Sequence, residues 1–413
     1  MERKLNSLIN AFCLDLDQHH LLKTEEILFD TLLRREAFLL NNKGEARVKK
    51  FTLLLRKYSG YRKKLFDALC ESNFSRELLS QKIFYPQSRL ILLLTHACQL
   101  RCPYCRVGKF SAVMKVETLL LSIDCLFTSR HHDIQLQFFG GEPLLEFHLI
   151  KKGIQYAEKL NKIYKKNISF VITTNGIALS KEKTNFLKNH QVIIECSIDG
   201  GIENQLKINR TNSGKVLYDL ARKNFEGLFN TDIEHYSISV FTPETVGKVS
   251  RNIKKLANMG FKKFQINYCL GVYWNQEAAN ELFSQTKNVI DWINGKNNLD
   301  FINLSKKRRE PVVLNAELTV DCDDAVYLET GICLEEDFSA MKKKFHISEL
   351  KDIKNIDFYK TTVFENFYRL TNAYCNSNKH FRKIILNNIV LGKLYEQFLK
   401  DFSADTVNQH IKE

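Results

Sequence analysis

The sequence predicts an α/β fold: a partial (β/α)6 barrel, preceded by a helical N-terminal region and followed by a smaller C-terminal α+β extension. Between about residues 89 and 275, short apolar runs alternate with longer amphipathic stretches, as in strands and helices of a parallel sheet. Residues 1 to about 86 show helical spacing of leucines instead. Beyond residue 275 the alternation becomes irregular. We therefore expect domains at 1–86, 87–275 and 276–413.

Six apolar runs are the predicted strands: Arg89–Thr95, Ile134–Phe139, Ser169–Thr173, Val192–Ser197, Tyr236–Phe241 and Lys263–Tyr268. Helical patterns separate most of them: Leu149–Lys162, Lys181–Asn189, Gly214–Leu228 and Thr245–Met259. Six such units favour part of a TIM-like barrel over an open doubly wound sheet. In such barrels the chemistry lies in loops after the carboxyl ends of the strands. A helix at Gln276–Asn294, a hairpin-like segment at Glu317–Leu334 and further helices complete the prediction.

Composition narrows the class of protein. With 44% hydrophobic and 26% charged residues, the 413-residue chain is typical of a globular protein. Lysine and arginine exceed the acids by 61 to 47, a net charge of +14, which favours acidic partners without choosing among them. No apolar run approaches the roughly 20 residues that span a bilayer, and the first residues lack a signal-peptide pattern. We expect a cytoplasmic protein whose 11 cysteines are thiols or metal ligands.

The most specific motif is a cysteine loop, Cys98-Gln-Leu-Arg-Cys102-Pro-Tyr-Cys105, directly after the first predicted strand. Three thiols at this spacing can converge on an iron–sulfur cluster or on zinc, both of which thiolates bind. A structural zinc site normally closes with a fourth protein ligand, whereas a cubane held by three cysteines leaves one iron open. A zinc site completed by His96 is the alternative interpretation.

Glycine and polar residues end the next three predicted strands. The second closes with Gly140-Gly141-Glu142-Pro143, where paired glycines allow close approach to the backbone and a carboxylate suits an ammonium group. The third and fourth end with Thr173-Thr174-Asn175-Gly176 and Ser197-Ile198-Asp199-Gly200. These side chains offer hydrogen bonds to a sugar or a carboxylate, although Asn-Gly and Asp-Gly are equally ordinary turn sequences. Downstream, Arg210 is suited to pair with a carboxylate.

In this order, the motifs resemble the radical S-adenosylmethionine (radical SAM) superfamily. More narrowly, they resemble its peptide- and protein-modifying maturases, whose C-terminal extension is called SPASM or twitch. The resemblance covers about residues 88 to 275. Except for the cysteine loop, no single motif would carry it, but the combination is specific.

The resemblance implies that Cys98, Cys102 and Cys105 bind one [4Fe-4S] cluster, whose open iron chelates the methionine part of SAM. It also implies reductive cleavage of SAM to a 5′-deoxyadenosyl radical that abstracts hydrogen from an unactivated carbon. The cofactor contacts that it implies are Glu142 with the Gly140 and Gly141 backbone at the methionine ammonium, Arg210 at the carboxylate, Thr173, Ser197, Asn175 and Asp199 around the ribose, and Tyr104 near the adenine. Val240 and Phe241, at the end of the fifth predicted strand, are either further adenine contacts or ordinary strand core.

The C-terminal extension departs from this family. Full SPASM extensions hold auxiliary clusters through a dense cysteine array, whereas the cysteines after the loop are scattered: Cys125, Cys196, Cys269, Cys322, Cys333 and Cys375. We therefore expect no auxiliary cluster; the alternative is one built from Cys322, Cys333 and Cys375. Without that electron sink, redox-neutral work such as epimerisation is favoured, in which Cys269 or Cys375 would return a hydrogen atom.

These expectations favour a radical SAM enzyme that modifies a peptide, acidic in view of the positive net charge, and receives electrons from a flavodoxin- or ferredoxin-like donor. One alternative is a radical SAM enzyme acting on RNA or a small metabolite, although no aromatic-interleaved nucleic-acid motif supports RNA. Another is a zinc-stabilised, non-catalytic binding protein that uses the three cysteines and His96.

Overall fold

The computed structural model describes residues 82–84, 88–201, 212–294, 296, 298–305, 318–328, 342–343, 345–355, 360–362 and 379–410. In these residues the strands are, in chain order, β1 (Lys82–Phe84), β2 (Arg89–Leu93), β3 (Asp133–Phe139), β4 (Asn167–Thr174), β5 (Ile193–Ser197), β6 (His235–Phe241), β7 (Lys263–Tyr268), β8 (Asp300–Phe301), β9 (Leu318–Val320), β10 (Ala325–Leu328), β11 (His346–Glu349) and β12 (Lys360–Thr362).

The described α-helices are α1 (Val116–Phe127), α2 (Phe147–Tyr164), α3 (Lys181–Asn189), α4 (Asn212–Glu226), α5 (Val249–Met259), α6 (Gln276–Asn294), α7 (Ile302–Ser305) and α8 (Lys379–His410). Short 3-10 turns lie at Pro143–Glu146, Val246–Lys248 and Leu350–Asn355. None of these helices has an apolar stretch long enough to cross a membrane.

Six parallel strands, β2 to β7, lie side by side in chain order, and a helix follows each of them. This is the predicted partial (β/α)6 barrel, and the fold class is confirmed. Each parallel crossover carries its helix onto the outer face of the sheet, so that the carboxyl ends of the strands share one edge. All the predicted motifs therefore lie at that edge.

Side chains alternate between the two faces of the barrel sheet, as the pleat requires. On β2, Leu90 and Leu92 pack in the main core beneath the helices, whereas Ile91 and Leu93 face the barrel interior beside Val107. This alternation places the polar residues of the inner face, such as those of β4 and β5, inside the barrel. It also sends Phe241, which is fully buried in the main core, away from the interior.

The C-terminal extension continues the barrel sheet. In the described residues, β9 pairs parallel with β2, so that Leu92 lies opposite Val320. The β9–β10 hairpin and β11 then extend this side of the sheet, and β8 extends the other beside β7. The predicted hairpin is therefore present at 318–328, and it joins the barrel at the strand that carries the cysteine loop.

Most predicted element bounds agree with the structure within a few residues, and α3, α6 and β7 have the predicted bounds. Helix α1 was not among the predicted helices, because its apolar residues form nearly continuous runs rather than a helical period. The helical region predicted at 1–86 lies outside the described residues except for Lys82–Phe84. There the prediction is wrong, because these residues form a strand that pairs antiparallel with β12. The proposed domain limits stay a prediction.

Candidate active site

The cysteine loop leaves the carboxyl end of β2 and reaches α1. Its turn is closed by a hydrogen bond from the Cys105 amide to the Cys102 carbonyl oxygen, 2.9 Å long. Burial raises the pKa of the Cys102 thiol, and the charges of Asp199, Cys105 and Cys98 raise it further. The structure thus brings the three predicted sulfur ligands into one electrostatically coupled group.

The three cysteines supply the ligand set of a cluster with one open corner. The thiolates of a cubane bind separate iron atoms, so three of them leave the fourth iron for another ligand. All three side chains are free thiols in the part of the chain that the structure describes.

Hydrogen-bond donors point at the sulfurs. The Cys98 sulfur accepts from the Leu100 amide at 3.4 Å and from Asn175 Nδ2 at 3.6 Å. The Lys109 ammonium lies 3.0 Å from the Cys105 sulfur. Donors of this kind stabilise the anionic sulfur that a metal centre requires. The loop therefore fits the predicted iron–sulfur cluster. Asn175, which directly follows β4, donates a hydrogen bond to one of the predicted cluster ligands, Cys98.

His96 does not face the three cysteines. Its ring Nδ1 lies 2.9 Å from the Gly108 carbonyl oxygen, and its Nε2 lies 2.8 Å from an Asp321 carboxylate oxygen. The ring is also stacked on Phe110, with centroids 4.1 Å apart. Both ring nitrogens thus face oxygen atoms of Gly108 and Asp321 rather than the loop sulfurs, which disfavours a zinc site built from the three cysteines and His96.

The paired glycines end β3 against the start of the cysteine loop. A Cβ at Gly140 would lie 2.4 Å from the Thr95 carbonyl oxygen, and one at Gly141 would lie 2.2 Å from the carbonyl oxygen of Ala97. The Gly141 amide donates to Thr95, and the Glu142 amide donates to Ala97. In this structure the glycines thus allow two backbone segments to approach closely, a role that the sequence analysis did not anticipate.

Glu142 is buried, and its carboxylate holds three internal donors. The Leu144 amide and the Thr174 hydroxyl donate to one oxygen at 3.0 and 2.7 Å, and the Asn175 amide donates to the other at 2.8 Å. Burial raises the pKa of Glu142, although these hydrogen bonds oppose the rise. A carboxylate has about four lone-pair positions, so one remains for a ligand's ammonium group.

Tyr104 and Asp199 connect the cysteine loop to the end of β5. The Tyr104 hydroxyl donates to Asp199 at 2.8 Å, and the Val240 amide donates to the other carboxylate oxygen at 2.8 Å. Burial raises the pKa of Asp199 to about 7, although both hydrogen bonds oppose the rise. The structure thus brings together Tyr104 and Asp199, which were predicted on the adenosine side, and Val240, which was a further candidate there. The carboxylate of Asp199 holds the Tyr104 hydroxyl in place.

A polar network inside the barrel escaped the sequence analysis. The Thr173 hydroxyl donates to Glu195 at 2.5 Å, and Gln137 Nε2 donates to both of them at 2.9 and 3.0 Å. Arg89 and Tyr236 extend the network through Gln137 and Glu195. Its signal in the sequence is a polar residue at every second position of otherwise apolar strands. Ser197 ends β5 on the same face, half-buried.

The other predicted residues have different outcomes. Cys269 follows β7 and is buried, its pKa raised to about 11 chiefly by burial, and a hydrogen bond from Arg106 of the cysteine loop opposes that rise. Phe241 packs in the main core and not at the site, because the pleat points it outward. Arg210, Cys333 and Cys375 lie outside the described residues.

The barrel region of the chain matches known proteins. Residues 92–284 match the radical SAM superfamily. A cysteine-type anaerobic sulfatase-maturating enzyme of Clostridium perfringens is 23% identical over 230 residues, which are 52% of this chain and 60% of that enzyme. An uncharacterized protein of Methanocaldococcus jannaschii is 36% identical over 113 residues, which are 27% of this chain and 38% of that protein. The chain thus spans less than two thirds of the length of these relatives.

A solved structure shares the fold. It is described as native anSMEcpe with bound AdoMet and Cp18Cys peptide, and it is 18% identical to this chain with a TM-score of 0.61. The match covers 78% of this chain and 99% of that one. The similarity therefore extends beyond the barrel strands.

Proposed function

Because this chain is a member of the radical SAM superfamily of enzymes through residues 92–284, we propose that it holds one [4Fe-4S] cluster on Cys98, Cys102 and Cys105 and modifies a peptide. The observation that carries the proposal is the group of three cysteines in one loop, in which hydrogen-bond donors face the sulfurs of Cys98 and Cys105. It lies at the carboxyl edge of the barrel, where the polar ends of β3, β4 and β5 meet it. When bound, the cluster and SAM supply a 5′-deoxyadenosyl radical that abstracts hydrogen from the substrate.

The chain's own residues orient these groups. Glu142 and the turn around it receive the methionine ammonium, because a buried carboxylate with a remaining lone pair attracts a cation strongly. Tyr104, fixed by Asp199, packs against the adenine side, while Thr173 and Ser197 offer hydroxyl groups to the ribose. Asn175 donates to the Cys98 sulfur and thereby joins the nucleotide side to the cluster side. Arg210 is proposed for the methionine carboxylate on the resemblance alone.

A peptide substrate is supported by the relatives. The sulfatase-maturating enzyme is named for a protein substrate, and the fold neighbour was solved with a peptide. The net charge of +14 favours an acidic peptide, since opposite charge accelerates encounter. A flavodoxin- or ferredoxin-type protein is proposed as the electron donor. We expect no auxiliary cluster.

Cys269 is proposed as a hydrogen donor to a substrate radical. It ends β7 at the edge that carries the cysteine loop, and Arg106 of that loop hydrogen-bonds to it. Burial keeps its thiol protonated, and a protonated thiol is the form that gives up a hydrogen atom. The thiyl radical left behind would regain one electron from the proposed electron donor and one proton from solvent. Replacement by alanine should leave SAM cleavage intact but stop product formation in deuterium oxide. Unchanged deuterium uptake into the product would remove this role.

The cofactor assignment is tested by anaerobic reconstitution with iron and sulfide. We expect about four iron atoms per chain and dithionite-dependent formation of 5′-deoxyadenosine from SAM. If the reconstituted chain neither binds iron nor forms 5′-deoxyadenosine, the proposal is overturned. A colourless protein with one zinc on the three cysteines would support the non-catalytic alternative instead.

The substrate class is tested separately. The chain is co-expressed with small peptides encoded beside its gene, and each peptide's mass and hydrogen–deuterium content are measured. A modified peptide is expected with the wild-type chain and not with a Cys102→Ala variant. If no peptide changes while SAM is still cleaved, the peptide proposal fails, and RNA or a small metabolite becomes the substrate class to test.

A further inference from the structure

A second group of metal-ligand side chains lies beside the cysteine loop. His96 follows β2, and Asp321 and Cys322 follow β9, its parallel neighbour. A ring nitrogen, a carboxylate oxygen and a thiol sulfur of these residues all lie within 4.8 Å of one another. Within the described chain, no other group of at least three histidine, cysteine or acidic side chains converges this closely. Neither the radical SAM motifs nor the proposed reaction uses this group.

The hydrogen bonds of His96 suit a ligand. Its Nδ1 faces the Gly108 carbonyl oxygen at 2.9 Å, and a carbonyl oxygen only accepts, so Nδ1 must carry a proton. Histidines that bind metals typically donate their other ring N–H to a carbonyl or carboxylate oxygen in this way. When Nε2 is deprotonated, its lone pair therefore points at Asp321, whose carboxylate oxygen is 2.8 Å away. The side chain is 1% exposed, so water does not compete there.

Asp321 presents an anionic oxygen to that lone pair. Although burial opposes ionisation, hydrogen bonds and charges from His96 and Lys342 lower the pKa of Asp321 to about 2. One of its carboxylate oxygens lies 2.8 Å from His96 Nε2, and the other bonds the Lys342 ammonium. Two facing lone pairs in a buried place require a cation between them, which is either a proton or a metal ion.

Cys322 supplies the third donor. Its thiol donates to the Leu93 carbonyl oxygen at 3.2 Å, and burial and the Asp321 charge raise its pKa. A bound metal ion reverses this preference, because thiol ligands bind as thiolates and release their proton. Nitrogen, oxygen and sulfur donors together are the set that zinc accepts, and three protein ligands leave a fourth position open.

We propose that His96, Asp321 and Cys322 form a zinc site, separate from the iron–sulfur loop, in which these three side chains are the protein ligands of the ion. Zinc binding displaces two protons, the one between His96 and Asp321 and the one on the Cys322 thiol, and both are released to solvent. The ion carries two positive charges against the two negative charges of the carboxylate and the thiolate, so the buried group is neutral apart from Lys342. The ion would link the β9–β10 hairpin, through Asp321 and Cys322, to His96 at the start of the cysteine loop.

The first test measures zinc and iron together in the anaerobically reconstituted full chain. We expect about one zinc in addition to the iron. Cys322→Ser and Asp321→Asn should lose the zinc and keep the iron, while Cys125→Ser, which changes a buried core cysteine in α1, should keep both. Equal zinc in the wild type and in Cys322→Ser would overturn the proposal.

The second test removes the competing thiols of the cysteine loop. In the full chain carrying Cys98→Ala, Cys102→Ala and Cys105→Ala, added Co2+ should produce a thiolate-to-cobalt charge-transfer band, and added Zn2+ should raise Tm because it binds the folded state. Adding Cys322→Ser should abolish both effects while circular dichroism stays that of the folded parent. Absence of the band in the triple variant would overturn the zinc site and leave the proposed radical chemistry untouched.

Discussion

The cysteine loop and the β9–β10 turn both lie next to the carboxyl end of β2. They differ in how far apart in the sequence their interacting residues are. The loop gathers its three cysteines within eight consecutive residues, and those residues are half-buried. The turn contributes Asp321, which meets His96 across 225 positions of sequence, and both of these side chains are 1% exposed. The loop depends on local spacing, whereas the turn depends on strand pairing. Damage to the loop should therefore affect chemistry first, and damage near the turn should also affect stability.

The largest effect expected is that of Cys102→Ala. Because a cluster held by three cysteines has no spare protein ligand, iron content and 5′-deoxyadenosine formation should both fall to background. Thermal unfolding of the cluster-free protein should change little, since the side chain lies in a loop outside the two hydrophobic clusters. Iron analysis and an assay of 5′-deoxyadenosine measure the result.

The matched control for that variant is Cys125→Ala, which removes a buried cysteine in α1. It should retain iron and activity with a modest loss of stability. If Cys125→Ala loses iron as completely as Cys102→Ala, the loss reflects general damage and the ligand assignment is wrong.

Gly141→Ala should affect both the cysteine loop and the contacts of His96 with the β9–β10 turn. The new Cβ would lie 2.2 Å from the Ala97 carbonyl oxygen and 2.6 Å from that of His96, and these backbone atoms belong to the segment joining His96 to Cys98. Overpacking of this kind costs about 1–3 kcal/mol of unfolding free energy. Denaturant unfolding should show that loss, and iron incorporation should fall with it.

Gly247→Ala is the control for a glycine without this close approach, since its Cβ would lie 3.7 Å from the nearest atom, a Glu281 side-chain oxygen. We expect near wild-type unfolding and iron content. A Gly141→Ala protein as stable and as rich in iron as Gly247→Ala would contradict the role assigned to the glycine pair.

Tyr104→Phe should have a smaller effect, confined to the loop. It removes the hydroxyl that donates to Asp199 at 2.8 Å, and loss of one partner of a buried polar group costs about 1–3 kcal/mol. Iron content should stay at the wild-type level while the rate of 5′-deoxyadenosine formation falls several-fold. A wild-type rate in this variant would show that Tyr104 does not orient the nucleotide.

The pH dependence of stability separates the two carboxylates. Burial raises the pKa of Asp199 to about 7 from 3.8, so the folded state binds its proton more tightly than the unfolded state does. Asp199 therefore makes the protein less stable as the pH rises from about 4 to about 7. Asp321, whose pKa is lowered to about 2, contributes stability above pH 4 that is lost as the pH falls through 2. Unfolding of Asp199→Asn should lose the first dependence and keep the second.

The smallest effect expected is that of Lys115→Ala. Its ammonium pairs with Asp324 of the β9–β10 turn at 2.6 Å, but the two side chains are 66% and 38% exposed, and exposed ion pairs contribute little. We expect no resolvable change in Tm, in contrast to a clear loss in Asp321→Asn, where a buried pair is broken. Equal losses in the two variants would remove the contrast between buried and exposed contacts at this turn.

The barrel could be predicted from the sequence because its signals are local. Apolar runs such as Lys263–Tyr268 and amphipathic stretches such as Gln276–Asn294 are set by period and by turn residues, and the structure reproduces their bounds. The cysteine loop could be predicted for the same reason, since its spacing is a property of eight adjacent residues. The sequence left Phe241 open between the adenine side and the core, because the order of strand-end residues does not say which face each one takes, and the structure places it in the core.

Other parts of the site depend on pairs that no local pattern records. Glu195 contacts Gln137 and Thr173 because the neighbouring strands β3, β4 and β5 direct these side chains to the barrel interior at the same level along the sheet. Tyr104 meets Asp199 across 95 positions. The sequence predicts that Gly141 lets a ligand approach the backbone. In the structure, its missing side chain lets the backbone of His96 and Ala97 approach instead.

The sequence by itself therefore determined the alternation of strands and helices, the edge at which the motifs gather, and the three sulfurs of the loop. Each of these follows from periodicity or spacing within one or two turns of chain. Only the tertiary structure decided that β9 lies beside β2, and hence that His96 meets Asp321 and Cys322. Parallel neighbours in a sheet are chosen by packing and hydrogen bonding over the whole fold, so a site built between them is invisible until the chain is folded.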